Sequence, residues 1–162
     1  MGPFKRYLLK EQLGQVLIQR GKITPEQLKK ALEVQKEQGG FVGEVLTKLG
    51  FATEEDIVQA LAIQHDFPYL PLANYAIDEE VTKLIPEALA RKYHVLAVDK
   101  MSDVLTVVMA NPLDTKTIEE IEALTKCKAE VFVATYTELK ETIERFYAPK
   151  QPSQKEGGAE NG

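Results

Sequence analysis

The 162-residue sequence predicts an α+β fold: an N-terminal four-helix subdomain made of two tandem helical-pair repeats, packed on a C-terminal α/β sandwich with a small, mostly antiparallel sheet. Three observations predict it. A 24-residue segment occurs twice before residue 65, and a repeat marks a unit that buries its apolar face on a copy of itself. Beyond it the elements read β-β-α-β-α. Between the two lies Phe67-Pro68-Tyr69-Leu70-Pro71-Leu72, where proline forbids helix and restricts its predecessor to extended backbone. The expected division is 1–66 for the helical repeats and 67–148 for the α/β subdomain. The tail 149–162, PKQPSQKEGGAENG, has too few apolar groups to pack and is expected to be disordered.

The two segments are QLGQVLIQRGKITPEQLKKALEVQ (12–35) and FVGEVLTKLGFATEEDIVQALAIQ (41–64), identical at nine of 24 positions. Each reads as a short helix stopped by a C′ glycine, Gly21 or Gly50, followed by a longer one. Thr24 caps the longer helix of the first copy, with Pro25 at its first position and Gln27 at capping-box spacing. Leu28, Ala31 and Leu32 form its apolar stripe; Thr53, Asp56, Ile57, Ala60 and Leu61 repeat these roles. Two pairs of residues sit oddly in a plain helical core. Gln35 and Gln64 lie on the apolar stripe, where an amide costs a few kcal/mol unless paired. They either tie down a loop backbone or line a site. Gly14 and Gly43 fall in the first turn of each short helix and serve either close helix packing or the approach of a ligand.

In the second half, Asp78 caps a helix to about Ile85, and Pro86 starts another through Lys92. His94–Asp99 and Val104–Met109 read as a hairpin turning at Lys100–Asp103. Asn111-Pro112 leads into a helix over Thr115–Leu124 with Ile118, Ile121 and Leu124 inward. Ala129–Ala134 is a third strand. Thr135 and Glu138 then form a capping box for a helix with Leu139, Ile143 and Phe146 inward.

Charge and motif content narrow the function. Twenty Lys+Arg against 25 Asp+Glu give −5, with no basic half, so neither DNA nor RNA is an expected partner. No apolar run is long enough to span a bilayer and the N-terminus lacks a secretion signal, so a cytoplasmic location without membrane insertion is expected. One cysteine and two histidines provide no metal cluster. GxxxxGK[ST], GxSxG, HExxH and CxxC are all missing, so no catalytic residue, metal or cofactor is expected. Cys127, between Lys126 and Lys128, reads as a buried strand-edge thiol. Glu54-Glu55-Asp56 and Glu119-Glu120 read as solvated faces that complement helix dipoles.

The paired LGxxL…G…L…L..Q pattern resembles the N-terminal domain of type II secretion and type IV pilus assembly ATPases, including the MshE-type form that binds cyclic di-GMP. The FPYLPL connector, the IPEALARKYHVLAV segment and the ANPLD turn extend the resemblance over residues 8–147. The ATPase domains that normally follow are not in the sequence, so a stand-alone module or an isolated domain is expected. The resemblance implies a ligand lying along both repeats. Its site would comprise Leu13, Gly14, Leu17, Gly21, Leu28, Leu32 and Gln35, then Val42, Gly43, Leu46, Gly50, Ile57, Leu61 and Gln64. Asn111 and Asp114 of the ANPLD turn would add contacts. Gln12 and Phe41 stand where binding members commonly have an arginine. Gln12 offers neutral hydrogen bonds and Phe41 a stacking face, at a cost of about 1–3 kcal/mol for each lost bidentate contact. The resemblance therefore implies a cyclic di-GMP sensor. A second reading is an adaptor that docks on an assembly ATPase or an inner-membrane platform protein without a nucleotide.

Overall fold

The computed structural model describes residues 13–64 and 66–147. Four helices build the first half: α1 (residues 13–19), α2 (Pro25–Gln38), α3 (Val42–Lys48) and α4 (Glu54–Gln64). The repeat is visible bond by bond. After α1, Lys22 N–H donates to Leu17 O and Gly21 N–H to Ile18 O; after α3, Phe51 N–H donates to Leu46 O and Gly50 N–H to Thr47 O. This is the same Schellman turn 29 residues apart, and it needs the left-handed φ of +73° at Gly21 and +77° at Gly50. The capping box of α2 forms as expected, with Gln27 N–H on Thr24 Oγ1 and Thr24 N–H on Gln27 Oε1. Thr53 and Asp56 exchange the equivalent pair at α4. Leu13, Leu17, Ala31, Val42, Leu46, Ala60 and Leu61 are completely buried in one core.

The second half contains α5 (Glu79–Thr82), α6 (Glu87–Tyr93), β1 (Val95–Met101), β2 (Val104–Met109), α7 (Thr115–Thr125), β3 (Lys128–Val133) and α8 (Tyr136–Tyr147). The sheet order is β1-β2-β3. β1 and β2 are antiparallel as expected, but β2 and β3 run parallel, from Val104 opposite Lys128 to Met109 opposite Val133. The sheet is mixed rather than mostly antiparallel. The reason is α7: a helical crossover returns the chain to the end from which it left, and this delivers a parallel strand. The connector adds a short parallel bridge from Tyr69 to Val133, with Leu70 N–H on Val133 O and Val133 N–H on Pro68 O.

Four details differ from the sequence expectation. The helix capped by Asp78 ends at Thr82 rather than near Ile85. β1 begins at Val95, because His94 adopts a left-handed φ of +52° and ends α6. Leu124 is exposed; the core beneath the last turn of α7 is filled by Ile121 and Cys127 instead. At the end of α8, Phe146 is half-buried, and Tyr147 packs on the core while its hydroxyl sits 2.8 Å from Thr82 O and 2.7 Å from Ile85 O. Burial, with Glu87 nearby, raises that phenol to about 12. The disordered-tail expectation for 149–162 lies outside the described residues. The two cores meet where Leu113 and Val133, both from the second half, bury themselves in the helical one.

Candidate functional site

Duplication of the helical pair duplicates a groove. In the first copy Gln15, Ile18, Pro25, Leu28, Lys29 and Leu32 line a depression of about 390 Å³. In the second copy Glu44, Thr47, Glu54, Ile57 and Val58, the positions 29 residues after the first five of these, line a cleft of about 410 Å³. Only the second is walled by the α/β subdomain, through Lys92, Tyr93 and His94 at the end of α6, Ala110, Asn111 and Asp114 after β2, and Ala134, Thr135 and Tyr136 before α8. The cleft thus lies between the repeat and the sheet.

The residues singled out from sequence fall into distinct places. Phe41, Gly43, Ile57, Asn111 and Asp114 come together in the cleft. Leu28 and Leu32 line the first-copy groove. Leu13, Leu17, Val42, Leu46 and Leu61 are wholly buried and form the platform beneath. Gly21 and Gly50 make the Schellman turns. Gln12 lies outside the described residues, as does the side chain of Gln64. Gln35 donates from Nε2 to Gly40 O at 2.7 Å, the loop-tying arrangement. The two glycines serve packing. A β-carbon on Gly14 would meet Leu28 Cδ2 at 2.6 Å, and one on Gly43 would meet Ile57 Cγ2 at 2.8 Å. Each notch is filled by the next helix of its own copy.

The polar groups of the cleft divide sharply. Its carboxylates are engaged within the protein. Glu54 accepts from the Thr137 amide and hydroxyl, Asp114 accepts from Thr117 N–H and Oγ1–H, and Glu44 pairs with Lys48 at 3.8 Å. Asn111 Oδ1 accepts from Leu113 N–H. No hydrogen bond among the described residues engages the Asn111 amide N–H groups, the Lys92 ammonium, the His94 ring or the Tyr93 and Tyr136 hydroxyls. What remains on offer is therefore rich in hydrogen-bond donors, suited to an acceptor-rich ligand. His94 stacks on Tyr136 with ring centroids 4.3 Å apart. Burial holds its pKa below the ordinary 6.5, with Lys140 and Lys48 adding to the effect and Glu44 opposing it.

Lys92, Tyr93, His94 and Tyr136 were not legible as site residues: the first three enter at the end of α6, where His94 takes a left-handed φ of +52°, and Tyr136 enters at the start of α8, and neither placement has a sequence signal. The acidic run at 54–56 is also more than a solvated face. Glu54 crosses to α8, and the Asp56 carboxylate accepts the Thr53 amide at the start of α4 while lying 3.5 Å from Lys22. Cys127 is buried, its thiol 3.3 Å from Thr125 O. Among the described residues no His, Cys, Asp and Glu cluster could hold a metal ion, and no helix is long and apolar enough to cross a membrane.

The sequence pattern of the MshEN domain matches residues 65–153, more than half of the chain. The chain belongs to the MshEN domain family. The match lies in the second half, which holds the FPYLPL connector, the IPEALARKYHVLAV segment and the ANPLD turn. Type IV pilus assembly ATPase PilB of Myxococcus xanthus is 32% identical over 142 residues, which make up 88% of this chain and 25% of that protein. PilB of Thermus thermophilus is 32% identical over 139 residues, 85% of this chain and 16% of that protein. The chain thus spans a quarter or less of the length of these relatives. Among solved structures, MshE with cdg superposes with a TM-score of 0.70 at 29% identity, covering 83% of this chain and 98% of that one. The N-terminal domain of XpsE has the same fold, with a TM-score of 0.74 at 20% identity over 85% of this chain and 95% of its own.

Proposed function

We propose that this MshEN domain is a non-catalytic, cytoplasmic regulatory module that binds cyclic di-GMP. The likeness to MshE solved with cdg carries this reading, since it covers 83% of this chain at 29% identity. The uncommitted donors of the second-copy cleft support it. A cyclic dinucleotide offers two phosphates and two acceptor-rich guanine edges. Phe41 and Ile57 would present apolar contacts, Asn111 and Lys92 donors, and Leu28 and Leu32 the first-copy groove, while the buried leucines hold the platform.

Isothermal titration at moderate salt tests the proposal. Saturable binding with Kd below about 100 µM, or roughly −5.5 kcal/mol, is expected, weakened in Lys92→Ala and Asn111→Ala. No heat and no chemical-shift change at high micromolar dinucleotide would remove it. A second reading, an adaptor for a secretion or pilus assembly component, is favoured by the filled glycine notches and by Gln12 and Phe41 in place of arginine. It predicts that pull-downs recover an assembly ATPase or a platform protein whether or not the dinucleotide is present.

A further inference from the structure

We propose that Glu54 is a latch that closes the second repeat onto the α/β subdomain and so positions the cleft wall; its effect on affinity rests on the ligand reading above. The repeat isolates this residue. Its counterpart in the first copy is Pro25, which is equally suited to the first turn of a helix but has nothing to reach with. Glu54 reaches 83 residues along the chain, accepting the Thr137 amide on Oε1 at 2.8 Å and the Thr137 hydroxyl on Oε2.

The Thr137 amide is available because it lies in the first turn of α8, where no intrahelical acceptor exists. The local cap does not use it: Thr135 Oγ1 takes the Glu138 amide instead. The carboxylate therefore completes a cap from outside, with its charge at the positive ends of both α4 and α8. The residue before Thr137 is Tyr136, whose ring rests on His94. Glu54, Thr137, Tyr136 and His94 form one mechanical chain across the cleft. Releasing the first link loosens the aromatic wall and admits water to the imidazole.

The test uses Glu54→Ala and the gentler Glu54→Gln, with the exposed neighbour Glu55→Ala as control. In Glu54→Ala the Thr137 amide should exchange on the order of tenfold faster, while amides in β1 and β2 keep their protection. The His94 ring, its NMR signal assigned by its loss in His94→Gln, should titrate closer to 6.5 as burial relaxes. The charges facing that ring, Glu44 and Lys48 on α3 and Lys140 on α8, together with Lys92 before it, are unchanged by the substitution. Cyclic di-GMP should bind about tenfold more weakly to Glu54→Ala, with part of the loss recovered in Glu54→Gln, which keeps one oxygen acceptor. Unchanged exchange and titration would overturn the latch whether or not the dinucleotide binds. If both move while affinity holds, the link to the site is overturned. Failure of the unsubstituted protein to bind would instead defeat the ligand reading, and the two ligand-free measurements would still decide the latch.

Discussion

At residue 43 a hydrogen atom in place of a methyl sets the distance between two helices. A β-carbon there would sit 2.8 Å from both Ile57 Cγ2 and Phe41 Cε2, and one on residue 14 would sit 2.6 Å from Leu28 Cδ2. The obstacles are not equal. Leu28 offers the end of a side chain that can swing, whereas Ile57 Cγ2 is fixed to a branched β-carbon with one preferred χ1 in a helix. Overpacking costs about 1–3 kcal/mol, against a gain of about 1 kcal/mol from alanine's helix propensity. Gly43→Ala should therefore lose roughly 1 kcal/mol net, and Gly14→Ala should be nearer neutral. Ile57→Leu restores the side chain that the first copy uses here, so in that background the Gly43→Ala penalty should shrink. Urea unfolding of the four proteins checks this, and a Gly43→Ala variant as stable as the original would refute the close packing. Spacing alone showed that both glycines hold equivalent posts. It could not show whether the neighbour is a side chain or a ligand, because that depends on distances of a few tenths of an ångström.

Among the elements, the helical pair was the most legible, since its caps are local chemistry: a threonine and a residue three positions on suffice to place the start of α2 and α4. Strand direction was less so. Nothing in the run 128–133 distinguishes parallel from antiparallel pairing; only the length of the α7 crossover does. The cap of α4 also carries a pH signature. Burial alone would raise the Asp56 pKa, but the Thr53 amide and hydroxyl and the Lys22 ammonium outweigh it, leaving the group below 3.8. A carboxylate depressed in the folded state stabilises above its unfolded pKa and loses that contribution as pH falls through the folded value. Asp56→Asn keeps an oxygen for the Thr53 amide and removes only the charge. The original protein should therefore be more stable than this variant at about pH 6, with the advantage fading below about pH 4. Thr53→Ala, which removes the hydroxyl acceptor, should cost about 1 kcal/mol even at neutral pH. Thermal melts at several pH values test both, and a pH-independent gap between Asp56→Asn and the original would refute the charge argument.

At the scale of the molecule, the cleft belongs to neither half. The repeats build one half, the family pattern matches the other, and the cleft lies where they meet. This is why most of its walls escaped the sequence: residues 92–94 reach it through a left-handed helix end, and Tyr136 through a cap supplied by Glu54. The join itself is apolar. Leu113 and Val133 are covalently part of the α/β half but are buried in the helical core. Truncating Leu113 to alanine should cost about 2–5 kcal/mol, and the location of that loss is informative. If the halves unfold as one cooperative unit, amide protection in α2 and in β2 should fall together and by the same amount. Hydrogen exchange read at individual amides measures this. Loss of protection confined to the helices would mean that the repeats open by themselves. A ligand in the cleft would then have to hold the two halves together, and its affinity would be reduced by the fraction of molecules standing open.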